Sequence, residues 1–164
     1  MTDDDTQPLR QDIAALLPRL RRFGRALTRH REDADDLVQL AVERALNRSA
    51  QWQSGTRLDS WLFRIMQNAW IDELRARGRH GETFAPEEQG LQVGVSTTDT
   101  QLDAIAVRRA VAELGDDQRA VVALVLVEGL PYKEAAEVLG IPIGTLTSRL
   151  ARAREALQQR LSAP

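Results

Sequence analysis

Apolar residues recur at three- and four-residue steps through most of this chain, and nowhere do they show the alternation or turn spacing of a sheet. Ile13, Leu16, Leu17, Leu20, Phe23 and Leu27 mark one amphipathic helix, and the pattern stays helical nearly throughout from about 8 to 77. A second helix begins in the acidic run Glu32-Asp33-Ala34-Asp35-Asp36, whose charges favour a helix amino terminus, and continues to about residue 47. Residues 49–56 read as a loop with Gly55 and polar neighbours. Thr56 with Asp59 has the spacing of a capping box and opens a third helix to about residue 77. Apolar periodicity then disappears over 78–101, where Gly78, Gly81, Pro86, Gly90, Gly94 and a Ser96-Thr97-Thr98 cluster predict a linker, either disordered or functional. Thr100 with Asp103 offers another capping box, followed by helices at about 101–113 and 116–128. The pattern predicts an all-α chain of two small domains, about 8–80 and 101–162, joined by an acidic linker over 81–100.

The most informative stretch is 131–157, PYKEAAEVLGIPIGTLTSRLARAREAL. Pro131 can start a helix, where its missing N–H costs nothing, and Ala135, Ala136 and Leu139 supply an inward face. Gly140 can take the left-handed conformation that ends it, and Pro142 blocks its continuation. A second helix from about Ile143 carries the apolar stripe Leu146, Leu150, Ala153 and Leu157. Its helical wheel puts Ser148, Ala151, Arg152 and Glu155 opposite that stripe, with Thr147, Arg149 and Arg154 on the shoulders. A turn between two helices, with arginines and small residues outward, suits the major groove of DNA. The plainer alternative is a helical hairpin with a solvated basic face.

At 164 residues, the chain allows one or two small domains. Its 43% hydrophobic and 28% charged residues place it among globular proteins. The formal net charge of −2 does not announce a nucleic-acid binder, but charge is segregated. Four arginines stand against the single Glu155 after Gly144, whereas five acidic residues and no Lys or Arg lie between His80 and Val107. Lys133 is the sole lysine, and the lack of cysteine excludes disulfides, thiol catalysis and thiolate metal sites. His30 and His80 lie far apart in polar segments, with neither metal-ligand spacing nor a nucleophile–base arrangement. No catalytic residue, metal site or cofactor is therefore expected. The acidic start MTDDDTQP and the absence of a membrane-length apolar run lead to the expectation of a cytoplasmic protein without membrane insertion.

Two further surfaces carry candidate chemistry. On the second helix, Leu37, Ala41 and Ala45 turn one way, while Glu32, Asp36, Gln39 and Glu43 fall in a narrow arc on the other. That arc is either a solvated face or a docking ridge for an Arg-rich partner. The third helix, LDSWLFRIMQNAWIDELRARGR, packs through Leu58, Trp61, Leu62, Ile65, Ala69 and Leu74. Asn68 and Asp72 are exposed, and Arg75, Arg77 and Arg79 close the helix. The arginines either complement the helix dipole or hold phosphates while Asn68 reaches a base. Trp61 reads as core, whereas Trp52 and Trp70 are left between core and base stacking.

DADDLVQLAVERAL, SWLFRIMQNAWIDELRARGR and the hairpin with GTLTSRLARAREAL resemble, in that order, an extracytoplasmic-function (ECF) sigma factor of bacterial RNA polymerase. The resemblance covers about 9–80 and 101–161. It implies a sigma-two domain followed by a sigma-four domain with a helix-turn-helix, and partners that comprise RNA polymerase core, promoter DNA and an anti-sigma factor. By this resemblance Asp33, Asp36, Leu37 and Gln39, with Glu43 on the same acidic arc, form the surface that docks on the polymerase clamp helices. Asn68 and the 52–58 loop, Trp52 included, fall at the minus-ten element, where a base is flipped from the melted strand; Arg75 and Arg77 are the adjoining phosphate contacts. Thr147, Ser148, Ala151, Arg152 and Arg154 map to contacts with the minus-thirty-five element, and Arg149 is expected on its phosphates.

The match has departures. Many relatives carry a longer residue at Thr147 and a bulkier one at Ala151, and an acid where Leu40 follows the glutamine of the clamp motif. The pattern is also similar to the general-stress branch of ECF factors, which a small anti-sigma protein controls. A simple helix-turn-helix repressor leaves 8–80 unexplained. The alternative of another class is a sigma-like decoy that sequesters an anti-sigma protein without directing transcription.

Overall fold

The computed structural model describes residues 3–53, 57–79 and 99–162. In chain order it has α1 (Asp3–Thr28), α2 (Arg31–Asn47), a 3-10 turn (Ser49–Gln51), α3 (Leu58–Arg79), α4 (Asp99–Ala112), α5 (Asp116–Val122), a π-helical turn (Ala123–Val127), α6 (Tyr132–Leu139) and α7 (Ile143–Ser162). No strand occurs among the described residues, as the periodicity predicts. Nor is any described helix long and apolar enough to cross a membrane. Most of the expected linker, 81–98, lies outside the described residues, as do Thr56 and His80.

α1 runs five residues further toward the amino terminus than the apolar pattern marks, and it carries both Pro8 and Pro18. Each proline removes one helical hydrogen bond. Both are exposed, while Leu20 and Phe23 of the same helix are fully buried. α1 closes at Arg29, a non-glycine residue at φ 62°, whose N–H donates to the Arg25 carbonyl at 3.0 Å. α2 then crosses α1 so closely that a Cβ on Gly24 would stand 3.3 Å from the Ala34 carbonyl oxygen. Glycine is what permits that approach.

Two expectations need correction. Thr100 is the second residue of α4 and not its cap, because the helix already begins at Asp99. The capping box expected of Thr56 and Asp59 lies partly outside the described residues, at Thr56; the Asp59 carboxylate accepts the Ser60 N–H at 2.8 Å together with Arg57 and Arg19. The helix expected over 116–128 leaves α-geometry after Val122: the Glu128 N–H bonds the Ala123 carbonyl at 2.9 Å, five residues back. The wider turn changes the phase of the apolar run. Val121 to Leu124 are buried, Leu126 and Val127 are 44% and 48% exposed, and Glu128 turns inward.

One core joins both halves of the chain. Leu20, Phe23, Leu62, Phe63 and Met66 from α1 and α3 continue into Val121, Leu124, Ala135, Val138, Leu146 and Leu150. The Phe23 and Phe63 rings, 4.9 Å apart and tilted by 59°, sit within it. A smaller cluster of Leu114, Val122 and Ala153 ties α4 and α5 to α7.

Candidate nucleic-acid interface and docking helix

Pro131 stands at the amino-terminal cap of α6, one position before the first helical residue. At the other end Gly140 adopts φ 66°, ψ 34°; its N–H and that of Ile141 reach back to the Glu137 and Ala136 carbonyls at 3.2 and 3.1 Å. Those bonds satisfy carbonyls that the helix end would leave open, and turn the chain into α7. Ala135, Ala136 and Val138 hold α6 against the core, and Leu146, Leu150 and Ala153 do the same for α7, with Leu157 half-buried. The outward side of α7 is therefore decided by packing. Thr147, Ser148, Ala151, Arg152, Arg154 and Glu155 are all exposed. Thr147 Oγ1 donates to the Gly144 carbonyl at 2.9 Å. Among the described residues neither Arg152 nor Arg154 has an acidic partner, so both charges are available. Arg149 differs: its side chain is 30% exposed, and its guanidinium lies 3.9 Å from Asp117 of α5. It faces a cleft of about 230 Å³ whose walls include Leu27, Gln67, Trp70 and Leu139.

On α2, Asp36, Gln39, Leu40 and Glu43 form an exposed ridge, along which Gln39 Nε2 donates to Glu43 Oε1 at 3.4 Å. Leu37 does not belong to it. That side chain is 5% exposed and lies in the core with Val38, Ala41 and Ala45. Asp33 is half-buried and bonded to Arg77 of α3, at 2.8 and 3.2 Å. Arg77 also donates to Glu73 at 2.8 Å and lies 5.4 Å above the Trp70 ring. The expected phosphate ligand Arg77 and the expected docking residue Asp33 thus bind each other. Hydrogen bonding to Asp33 raises the Arg77 pKa further, so its charge is permanent but engaged. Arg75 and Asn68 remain exposed on one ridge of α3, and Arg64, not singled out from the sequence, stands one turn before Asn68. Trp70 is core at 8% exposure. Trp61, expected in the core, is only half-buried at its edge, with Trp52 packed at a centroid distance of 5.5 Å.

Several polar residues that the sequence did not single out pin the two halves together. The side chain of Glu128 is 1% exposed and accepts from Arg19 and Arg22 of α1 at 2.8 and 2.7 Å. Glu134 of α6 accepts from Ser60 and Arg57 at 2.7 and 3.1 Å. Arg119, 2% exposed, donates to the Ala26 and Leu27 carbonyls at the end of α1 and to the Leu114 carbonyl at 2.9 Å. Desolvation by burial lowers its pKa, with the bond to Asp116 opposing that shift. A signal existed for one of them: Glu128 is the lone acid in the apolar run ALVLVEGL.

Among known proteins, a family profile described as the sigma2 domain of PhyR matches residues 13–67, and one described as sigma-70, region 4, matches residues 104–157. The chain is 36% identical over 152 residues to the ECF RNA polymerase sigma factor EcfG of Rhodopseudomonas palustris, across 93% of this chain and 84% of that one. It belongs to the ECF sigma factor family. This sigma factor is also 38% identical over 142 residues to SigM of Mycobacterium tuberculosis, covering 87% of this chain and 71% of SigM. Among solved structures, the sigma factor RpoE of Bartonella quintana, in complex with the anti-sigma factor NepR, superposes with a TM-score of 0.82 at 30% identity, covering 96% of this chain and 98% of that one. CnrH, in complex with the cytosolic domain of CnrY, shares the fold at a TM-score of 0.64 and 24% identity.

Proposed function

We propose that this sigma factor binds RNA polymerase core in the cytoplasm and directs promoter-specific initiation, with an anti-sigma protein holding it in check. Residues 8–80 act as the sigma-two domain and 101–162 as the sigma-four domain, with 81–100 connecting them. The observation that carries this reading is the outer face of α7, where Ser148, Ala151 and Arg152 point outward and Arg152 has no acidic partner among the described residues. On that face Arg152 reads a base edge of the minus-thirty-five element, while Thr147, Ser148, Ala151 and Arg154 line the groove. Asn68 takes a minus-ten base, with Arg75 on the adjoining phosphates. Asp36, Gln39 and Glu43 dock on the polymerase clamp helices. The available arginines favour a working factor over a decoy, which has no use for them. The RpoE structure, solved with an anti-sigma factor, supports the same kind of control here.

Run-off transcription with purified core polymerase on a library of genomic fragments tests the reading. Discrete transcripts that depend on this chain are expected. A chain that binds core but starts no transcript is a decoy, and one that does not bind core removes the proposal altogether.

A further inference from the structure

Three arginines of the amino-terminal half converge where the carboxy-terminal half sits on it. Arg19 and Arg22 project from α1, and Arg57 stands just before α3. Among the described residues their own half gives them one carboxylate, Asp59, which Arg57 and Arg19 approach at 2.9 and 3.1 Å. The remaining positive charge is met by Glu128 and Glu134, both from the other half. Glu128 is held as a two-oxygen anion: Arg22 donates to Oε1 at 2.7 Å and to Oε2 at 3.0 Å, and Arg19 donates to Oε2 at 2.8 Å. The non-bridging oxygens of a phosphodiester offer guanidinium groups the same pair of acceptors.

The arrangement that fills this cluster cannot be the one that spans a promoter. A compact chain of 164 residues has a radius of gyration of about 15 Å. Elements centred near minus ten and minus thirty-five are about 25 base pairs apart, on the order of 85 Å of straight duplex. The halves must separate to reach both, and Glu128 and Glu134 leave with the second half. We infer that Arg19, Arg22 and Arg57 form a binding surface for the nucleic-acid backbone, which Glu128 and Glu134 occupy as stand-in anions while the chain is closed. This rests on the proposed promoter function and adds to it a phosphate surface and a mask. A nucleic acid is favoured over an acidic protein by position: Arg57 directly precedes α3, the helix that carries Asn68, and its carbonyl accepts the N–H of Trp61, the residue packed on Trp52, at 3.3 Å.

Breaking one ion pair from its two ends separates a phosphate surface from a mere latch. The full chain, without polymerase, is titrated with a fluorescent oligothymidylate, with its uncharged methylphosphonate counterpart and with polyglutamate. Glu128→Gln should bind the oligothymidylate roughly tenfold more tightly than wild type. Adding Arg22→Gln to that variant should abolish the gain and reduce the salt slope by about 0.7. The methylphosphonate should show neither effect. If the double variant binds like Glu128→Gln alone, the arginines are only a latch and the inference fails. An equal gain for polyglutamate overturns it in favour of an acidic protein ligand. Should Glu128→Gln lose helicity, Glu134→Gln with and without Arg57→Gln gives the same comparison at a pair whose glutamate is 30% exposed. Because polymerase is absent, failure here leaves the run-off result standing, and failure of run-off leaves this binding result standing.

Discussion

Arg77, near the end of α3, grips both carboxylate oxygens of Asp33 in the first turn of α2, while its guanidinium lies over Trp70. Resemblance had sent the two residues to different partners, one to DNA and one to polymerase. In the folded chain they fasten α3 to α2, with side chains 19% and 23% exposed. A two-pronged pair at that depth is less screened than a surface bridge.

Arg77→Ala should therefore cost about 1–2 kcal/mol of stability, through the pair and the lost cover on Trp70. Denaturant unfolding of Arg77→Ala, Asp33→Asn and the double variant measures the coupling. Additive losses would show that the contact contributes nothing.

Arg152→Ala should cost about 1–3 kcal/mol of promoter affinity and relax preference at one position, as removal of a base contact does. Arg149→Ala should act differently, because Arg149 is half-covered and lies near Asp117. Its loss should weaken binding evenly across sequences. A panel of single-base promoter variants distinguishes them; matching profiles would refute the division.

Asp36 and Gln39 are exposed, so replacing both with alanine should leave helicity and unfolding within about 0.5 kcal/mol of wild type. Affinity for core polymerase should fall. Unchanged core affinity in a titration removes the docking role from this ridge.

Burial pushes the Asp59 carboxyl up, but bonds from Arg57, the Ser60 N–H and Arg19 outweigh it and hold the pKa below the usual carboxylate range. A depressed folded-state pKa stabilises above the unfolded value of about 4, and that stabilisation is lost as pH falls through the folded value. Asp59→Asn should thus be less stable at neutral pH, and the gap to wild type should narrow below about pH 4. Melting temperatures across that range provide the check; a constant gap would show that Asp59 is not the titrating group.

Arg119→Met should be the most destabilising of these changes, at about 3 kcal/mol, since the Ala26 and Leu27 carbonyls at the end of α1 and the Leu114 carbonyl lose a buried donor. Arg119→Lys should rescue little, because one ammonium cannot replace the planar fork. Full stability of Arg119→Met by thermal unfolding would show that this cap is dispensable.

By itself the sequence determined what is local: the helical periods, the Gly140 turn and the outward face of α7. Each of these follows from side-chain spacing or from one residue's backbone freedom. Leu37 shows the same rule from the other side, because its period already turned it inward before resemblance placed it on the surface. Tertiary structure alone decided which charges are free. Arg19 and Glu128 meet across 109 positions of sequence, Arg57 and Ser60 meet Glu134 across more than 70, and Arg77 finds Asp33 across 44. The π turn adds to this, since one wider turn buries Glu128 and exposes Val127, against the hydrophobic order of the run. A charge's availability depends on which distant groups lie within a few ångströms of it, and helical spacing carries no information about that.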